Sequence, residues 1–109
     1  MPKSGMPPGA LPMLILRVLH SGSLHGYAIA QRIQQISRDV LQIQQGSLYP
    51  ALYRLEERGY IQAEWHESDQ GRMAKYYSIT RKGAKQLAVD AAEWERTAAA
   101  VALVLQAVK

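Results

Sequence analysis

The side chains of this sequence that could do chemistry are arginines, lysines and tyrosines, and they cluster in two segments. Tyr49, Tyr53 and Arg54 fall close together in the first segment. The second segment, 70–85, contains several cations and no acid. Its cations are Arg72, Lys75, Arg81, Lys82 and Lys85. Cationic side chains pair with phosphates, and arginine also reads base edges in the grooves of DNA. The two segments therefore indicate contact with a nucleic acid.

Other kinds of chemistry lack the residues that they need. The chain has no cysteine, which excludes disulfides, thiolate zinc sites, iron–sulfur clusters and cysteine nucleophiles. His20, His25 and His66 fall on different predicted elements, with no second histidine or carboxylate at ligand spacing. No glycine-rich phosphate loop and no Ser/His/Asp set is visible. We therefore predict no metal, no cofactor and no enzymatic activity.

The length and composition fit one folded domain. The chain has 109 residues, of which 48% are hydrophobic, and its net charge of +4 permits an acidic partner without requiring one. Prolines interrupt the first twelve residues, so no signal peptide is predicted. The apolar runs are shorter than the roughly 20 residues of a membrane span. Together with the absence of cysteine, this composition predicts a cytoplasmic protein with no membrane partner.

Two amphipathic helices are predicted at the start of the domain. Apolar residues recur at helical spacing over 12–20, and a Ser-Gly pair then ends the pattern. A second helix begins around His25, which helps to start it. Ile29, Ile33 and Ile36 form the apolar stripe of this helix.

The third predicted helix, 48–58, carries the first chemical segment. Leucines at i, i+4 and i+7 from Leu48 form its buried stripe. Ser47 is predicted to cap this helix, Pro50 to lie in its first turn and Gly59 to end it. The residues turned away from the leucine stripe are Tyr49, Pro50, Tyr53, Arg54 and Glu57.

A β-hairpin is predicted to follow. Residues 60–66 alternate between apolar and polar, which places the apolar residues, Trp65 among them, on one buried face. Residues 68–71 favour a turn, and the β-prone run 75–79 favours a second strand. Tyr77 is predicted to face the core.

One long helix, capped by Thr80, is predicted to complete the chain. Its apolar residues recur at alternating spacings of three and four, which is typical of a coiled-coil seam. The predicted dimerisation residues on this seam are Leu87, Ala91, Trp94, Ala98, Val101, Leu105 and Val108. The last turns are apolar nearly all round, so we expect this end to be buried on two sides. A second copy of the chain is the predicted partner.

Three helices followed by a hairpin form the element order of a winged helix-turn-helix, a mainly α fold with a small β-hairpin. We predict a flexible N-terminus over 1–10, a winged-helix DNA-binding domain over 11–80 and a dimerisation helix over 81–109. The net charge is +3 over 1–40, +2 over 41–85 and −1 over 86–109. The positive charge therefore lies on the predicted DNA-binding domain.

The run from Gln45 to Ile61 resembles the recognition helix of PadR-like transcriptional regulators. The segments 24–27, 71–77 and 79–83 resemble, in the same order, the start of the preceding helix, the wing and the entry to the last helix of that family. The resemblance extends from residue 11 to about residue 95. It implies a dimeric cytoplasmic repressor that binds DNA through a winged helix and is often released by a small molecule.

The predicted DNA contacts are Ser47, Tyr49, Pro50, Tyr53, Arg54, Arg72 and Lys75. Each has a structural alternative. The two tyrosines could pack the helix against the hairpin, Arg54 could form an ion pair with Glu57, and the two wing cations could be ordinary solvated charges. Capping is the primary prediction for Ser47. We favour DNA contact for the others because the tyrosines lie off the leucine stripe and the wing cations belong to the segment 70–85, which contains no acid.

Trp94 lies in the predicted seam between two alanines, whose small side chains leave space around it. The structural interpretation, which we favour, is a tryptophan that fills the dimer interface. The sharper hypothesis is a slot between two symmetry-related tryptophans that takes a small planar aromatic effector, an arrangement that some short PadR-like proteins resemble. The candidate effector-binding residues are Trp94, Ala91, Ala98 and Ile15.

The sequence therefore predicts a homodimeric repressor that reads a pseudo-palindromic operator in double-stranded DNA. The alternative is a protein–protein interaction module that uses the same winged-helix surface without specific DNA binding. The acid-free segment 70–85 favours the DNA-binding prediction.

Overall fold

The computed structural model describes residues 6–107, which fold as four helices and a small antiparallel sheet. The elements in chain order are α1 Ala10–Leu19, β1 Leu24–His25, α2 Gly26–Ile36, α3 Gln45–Glu57, β2 Ile61–Glu67, β3 Met73–Ile79 and α4 Arg81–Ala107. The predicted winged-helix fold class is confirmed. Within 6–107, no helix combines the length and the apolar character that crossing a membrane requires.

The core lies where α1, α2 and α3 meet the sheet. The leucine stripe of α3 is buried as predicted, with Leu48, Leu52 and Leu55 each at most 4% exposed. The first two helices contribute Ile15, Leu16, Leu19, Ile29 and Ile33 to the same cluster. Ile36 was predicted to continue this stripe, but 66% of it is exposed because it is the last residue of α2.

The sheet has the strand order β1-β3-β2, and both pairings are antiparallel. Ile61 of β2 lies opposite Ile79 of β3, and Ala63 lies opposite Tyr77, so this face of the hairpin covers the core. The two-residue strand β1 was not predicted, because two residues are too few to show a periodicity. It adds Leu24 opposite Tyr77 on the other edge of β3.

Helix α3 begins three residues earlier than predicted. Its N-cap is Gln44, whose side chain makes no capping hydrogen bond, and the backbone N–H of Ser47 already donates to the Gln44 carbonyl at 2.9 Å. The prediction that Ser47 caps the helix is therefore wrong. Pro50 consequently lies in the second turn, where it leaves the carbonyl of Gly46 without a helical donor. Gly46 is exposed, so water can hydrogen-bond to that carbonyl.

The end of α3 is joined to the start of α4. Gly59 adopts the left-handed conformation with φ 80°, and the helix ends there as predicted. Thr80 Oγ1 donates to the Gly59 carbonyl at 2.7 Å, and Lys82 Nζ donates to the Arg58 carbonyl at 2.9 Å. Thr80 Oγ1 also accepts from the N–H of Gly83 at 3.0 Å, which confirms its predicted role as a helix cap.

The first turns of α4 belong to the same core as the winged helix. Gly83 packs so closely on the Tyr60 backbone that a Cβ would overlap the Tyr60 carbonyl and come 2.9 Å from Ile79 Cγ1. Leu87 is only 6% exposed, and Ala91 packs against the same cluster. The prediction that Leu87 is a dimerisation residue is therefore corrected, because its own chain buries it.

Beyond Ala91, every residue of α4 up to Ala107 is exposed. Trp94 is 40% exposed, Val101 51% and Leu105 72%, and Ala98 is exposed too. Val108, the last predicted seam residue, lies outside the described residues. At the other end of the chain, the predicted flexible segment 1–10 overlaps α1, whose first residue, Ala10, is 3% exposed. Residues 1–5 of that segment lie outside the described residues.

Candidate nucleic-acid interface

The outward face of α3 carries the predicted aromatic and cationic residues. Tyr49 is 46% exposed and Tyr53 is 65% exposed, since the leucine stripe on the opposite side of the helix faces the core. The remaining predicted residues of this face, Ser47, Pro50 and Arg54, are exposed as well. A helix that presents tyrosine, serine and arginine to solvent can contact both base edges and phosphates.

Tyr49 has a packing contact as well as an exposed surface. Its ring lies against the first residue of α2, Gly26, where a Cβ would come within 2.9 Å of Tyr49 Cε1 and Oη. The backbone at this point is anchored by His25, whose Nδ1 accepts from the N–H of Ala28 at 3.2 Å, so His25 caps α2 as predicted. Tyr49 is therefore held in place by the first turn of α2 while nearly half of it faces solvent.

Arg54 makes no ion pair among residues 6–107, so the alternative of a pair with Glu57 is not realised. Its exposed position on the second half of α3 leaves the guanidinium free to donate. Arginine offers a planar fork of donors that can bind guanine or phosphate in a bidentate manner. Arg54 is therefore the best-placed cation on this helix for a base or phosphate contact.

The tip of the wing is organised by Ser68. Its N–H donates to the Arg72 carbonyl at 2.6 Å, and its hydroxyl accepts from the Arg72 N–H at 3.3 Å. Gly71 takes the left-handed conformation that closes the turn, with φ 80°. Arg72 is exposed on this ordered turn, which suits it for contact with a phosphate backbone.

Lys75 is not free in the way that its sequence neighbourhood indicated. Its Nζ lies 3.6 Å from Glu56 Oε1 of α3 and 5.6 Å from the ring centroid of Tyr77. The expectation that no acid lies near Lys75 is therefore wrong in space, because α3 and β3 meet here. Both partners of the ion pair remain more than one-third exposed, so a phosphate can compete with Glu56 for Lys75.

Trp65 corrects the prediction for the hairpin. It shares a face with Ile61 and Ala63, yet 63% of it is exposed. Beyond Ala63 the inward face of the hairpin is only partly covered among residues 6–107: Lys75, opposite Trp65, pairs with Glu56 of α3, while Trp65 itself stays exposed. Tyr77 lies nearer the core and is 5% exposed, as predicted, and burial raises its pKa above 10.0 although the nearby Lys75 ammonium opposes this shift.

The exposed part of the hairpin, the start of α2 from His25 to Tyr27, and Tyr49 of α3 enclose an open cleft of about 620 Å³. Three predicted site residues, Tyr49, Arg72 and Lys75, line it together. Trp65 and Met73 also line it but were missed as site residues. The alternation along the strands predicts that Trp65 and Met73 share a face. Their exposure, however, depends on where the helices lie and became visible only in the fold.

Trp94 lines a second cleft of about 410 Å³ between α4 and the start of α1. Pro12, Met13 and Leu16 form one wall, and Glu93 and Thr97 flank Trp94 on α4. The predicted effector residue Ile15 is fully buried in the core and does not reach this space. Ala91 and Ala98 are absent from its lining too. The prediction for Ile15 is therefore corrected, whereas the slot between two symmetry-related tryptophans, with Ala91 and Ala98, stays a prediction.

No group of three or more histidine, aspartate and glutamate side chains in 6–107 could hold a metal ion. What the described residues assemble is a helix with an exposed polar and aromatic face beside a cationic hairpin. These features define a winged-helix protein of the DNA-binding kind.

The model of the transcriptional regulator PadR-like family matches residues 15–89, and the chain belongs to this family. A transcriptional regulator from Clostridium thermocellum superposes with a TM-score of 0.78 at 32% identity, covering 85% of this chain and 87% of its own. A PadR-like transcriptional regulator from Bacillus cereus gives 0.78 at 28% identity, covering 90% and 93%. An uncharacterised protein of Lysinibacillus sphaericus is 34% identical over 86 residues, 79% of each chain.

Family membership gives the general function. The chain is a DNA-binding transcriptional regulator, and the solved structures from Clostridium thermocellum and Bacillus cereus are those of transcriptional regulators. The resemblance found in the sequence is thereby confirmed. The matched range, 15–89, contains α3 and the whole hairpin.

Proposed function

We propose that the protein is a homodimeric transcriptional repressor that reads a pseudo-palindromic operator. The observation that carries the proposal is the exposed face of α3, where Tyr49, Tyr53 and Arg54 project beside the cationic wing. In this arrangement α3 enters the major groove and Arg72 contacts the neighbouring phosphate backbone. The fold supports this role because the leucine stripe fixes the outward direction of these side chains.

The exposed end of α4 supports the dimer. Val101, Val104 and Leu105 are each more than half exposed and line a shallow apolar groove of about 450 Å³ with Ala100, Arg96 and Thr97. Exposed apolar surface of this kind marks an interaction site in soluble proteins. A second copy of the same helix is a complementary partner. A dimer with two-fold symmetry then requires half-sites separated by about one helical turn, roughly 34–36 Å, or a multiple of it.

The cleft beside Trp94 supports a proposal for regulation. A small planar aromatic effector stacks on the exposed part of Trp94 and is flanked by Met13 and Leu16. Because this cleft joins α1 to α4, a bound effector changes how α4 is held against the body and so releases DNA. In the Trp65→Phe variant, Trp94 is the only tryptophan, so its emission should change with planar phenolic or cationic compounds. Unchanged emission across such a panel contradicts this part of the proposal.

The main test is binding to the DNA upstream of the protein's own gene. Fluorescence anisotropy at physiological salt should show tighter binding to this duplex than to a random duplex of equal length. Arg54→Ala should weaken specific binding by about 1–3 kcal/mol, or about 5- to 150-fold. Arg17→Ala removes an exposed arginine from α1 and serves as the matched control, with affinity unchanged.

Two results would contradict the proposal. Equal affinity for operator and random DNA would contradict sequence-specific binding. A protein that sediments as a monomer at micromolar concentration would contradict the proposed homodimer and its reading of a pseudo-palindromic operator. Specific capture of a protein partner together with either result would favour the interaction module that the sequence left open.

A further inference from the structure

Four large exposed side chains surround the cleft between the wing, the start of α2 and Tyr49 of α3. Trp65 is 63% exposed, Met73 61%, Tyr27 57% and Tyr49 46%. Single exposed apolar residues are ordinary on protein surfaces, whereas a contiguous group marks a binding surface. This cleft is separate from the effector cleft at Trp94 and from the apolar end of α4.

The hairpin holds the apolar wall in a fixed position. Trp65 lies opposite Lys75 in the β2–β3 ladder, and Met73 lies opposite Glu67 two pairs further towards the turn. Trp65, Lys75 and Met73 share the face that Ala63 and Tyr77 present to the core, because side chains alternate along a strand. The exposed Trp65 is therefore ordered by the strand pairing before any ligand is bound.

The charge around the cleft favours an anionic ligand. Its lining contains Arg72 and Lys75 and no acidic side chain. Two acids lie beside the lining: Glu56 of α3 pairs with Lys75 at 3.6 Å, and Glu67 lies opposite Met73 towards the turn. An anion that enters the cleft can take over Lys75 from this solvent-accessible pair.

The openness of the walls favours a strand rather than an enclosed small molecule. Small-molecule sites bury most of their ligand, whereas the four apolar walls here remain about half to two-thirds exposed. A sugar–phosphate strand matches both properties of the cleft, since it offers apolar sugar faces and anionic phosphates. When α3 occupies the major groove and the wing reaches the flanking backbone, the strand between them must pass this cleft.

We propose that this cleft seats one strand of the operator duplex, with Trp65 and Met73 packed on deoxyribose and Arg72 on a phosphate. The proposal rests on the DNA-binding role proposed above and assigns a new contact to it. Trp65 then contributes affinity through apolar burial, independently of counterion release.

Tryptophan emission tests the contact directly. Addition of operator duplex should change the emission of the wild-type protein, and the Trp65→Phe variant, which retains Trp94, should lose that change. Trp65→Ala should weaken operator binding about 5- to 20-fold by removing buried apolar area, with Trp65→Phe intermediate. Val89→Ala removes an equally exposed apolar side chain outside the cleft and should leave the affinity unchanged.

The salt dependence separates the two kinds of contact in the cleft. Trp65→Ala should leave the slope of log affinity against log salt unchanged, whereas Arg72→Ala should reduce its magnitude by about 0.9. If both variants unfold at the same temperature as the wild type, their loss of operator affinity does not come from a failure to fold.

Each remaining result overturns the inference. If the operator binds while the emission and affinity of the Trp65 variants match those of the wild type, the strand contact is wrong and the DNA-binding proposal stands. If a small aromatic anion changes Trp65 emission and DNA does not, the cleft is a ligand site instead. If no duplex binds, both proposals fail.

Discussion

The two ends of α4 both carry apolar residues at helical spacing, and these residues meet different surroundings. Near the start, Gly83 and Leu87 are buried against the sheet and the first helix. Near the end, Leu103, Val104 and Leu105 are 62–72% exposed. The comparison teaches that helical periodicity identifies residues that must be buried without saying which chain buries them. The apolar residues at the first end are buried by their own chain, whereas those at the second end require the second copy that we propose for their burial.

The largest expected effect is on the exposed end. The double variant Val101→Glu/Leu105→Glu should convert the dimer into a monomer, because it places charges where apolar side chains would be buried. Each such side chain contributes at most about 1.5–3 kcal/mol, so four of them across two chains contribute up to about 6–12 kcal/mol. Sedimentation velocity and operator binding report the change. Val89→Glu, which charges an exposed position nearer the body, should leave the dimer intact, and a double variant that still sediments as a dimer contradicts our assignment.

The buried end should respond in stability rather than in association. Leu87→Ala should lower the free energy of unfolding by about 2–5 kcal/mol, as expected for a leucine truncated in a packed core. The measurement is chemical denaturation in the monomeric double-variant background. Leu103→Ala in that background should change stability by no more than about 0.5 kcal/mol. Equal effects of the two truncations would show that the ends do not differ.

A glycine at the buried end should resist a substitution that helices usually favour. Gly83→Ala should destabilise the protein by about 1–3 kcal/mol because the new methyl group overlaps the Tyr60 carbonyl. Gly46→Ala is the matched control. Apart from its own stretch of α3, no described atom lies within 4 Å of where a Cβ at Gly46 would be, and helix propensity predicts a gain of up to about 1 kcal/mol. Thermal unfolding distinguishes the two signs, and a stabilising Gly83→Ala would place α4 further from the sheet.

The smallest expected effect is an alkaline loss of stability in the body. Burial raises the pKa of Tyr77 in the folded state, although the Lys75 ammonium opposes the shift. Above pH 10.0, the unfolded chain therefore loses this proton before the folded chain does, and the unfolding free energy falls as pH rises. Denaturation between neutral pH and pH 11 should show a smaller decline in Tyr77→Phe. Identical declines would indicate that Tyr77 ionises as easily in the folded state as in the unfolded state.

Much of the fold was predictable because it depends on local patterns. The leucines of α3 repeat at helical spacing, Gly59 supplies the conformation that ends the helix, and Thr80 supplies the cap of α4. The outward direction of Tyr53 and Arg54 then follows from the buried stripe. Each of these features is determined within a few residues of sequence, so no knowledge of the rest of the chain was needed.

The remaining features depend on which elements meet. Lys75 has no acid near it in sequence, yet α3 brings Glu56 to it across the start of the hairpin. Trp65 follows the apolar alternation of its strand, yet the helices end before they cover it. Ser47 was mistaken for a cap because a side-chain cap is the usual start of a helix, whereas Gln44 begins this one through its backbone alone. Contacts between distant segments decide all but the last of these cases.

The junction at Gly59 and Thr80 attaches the start of α4 to the end of α3, so a tilt of α4 about its far end would move this junction. Thr80 Oγ1 donates to the Gly59 carbonyl and Lys82 Nζ to the Arg58 carbonyl, in the two residues that follow α3, so the start of α4 is held at the end of α3. The length of α4 from Thr80 to Val101 is about 30 Å, at about 1.5 Å per residue. A tilt of the helix by about 5° about Val101 would move the junction sideways by about 3 Å. A displacement of this size is comparable with the rise of one base pair. The angle at which two copies of α4 cross would therefore set the distance between half-sites that the dimer can read.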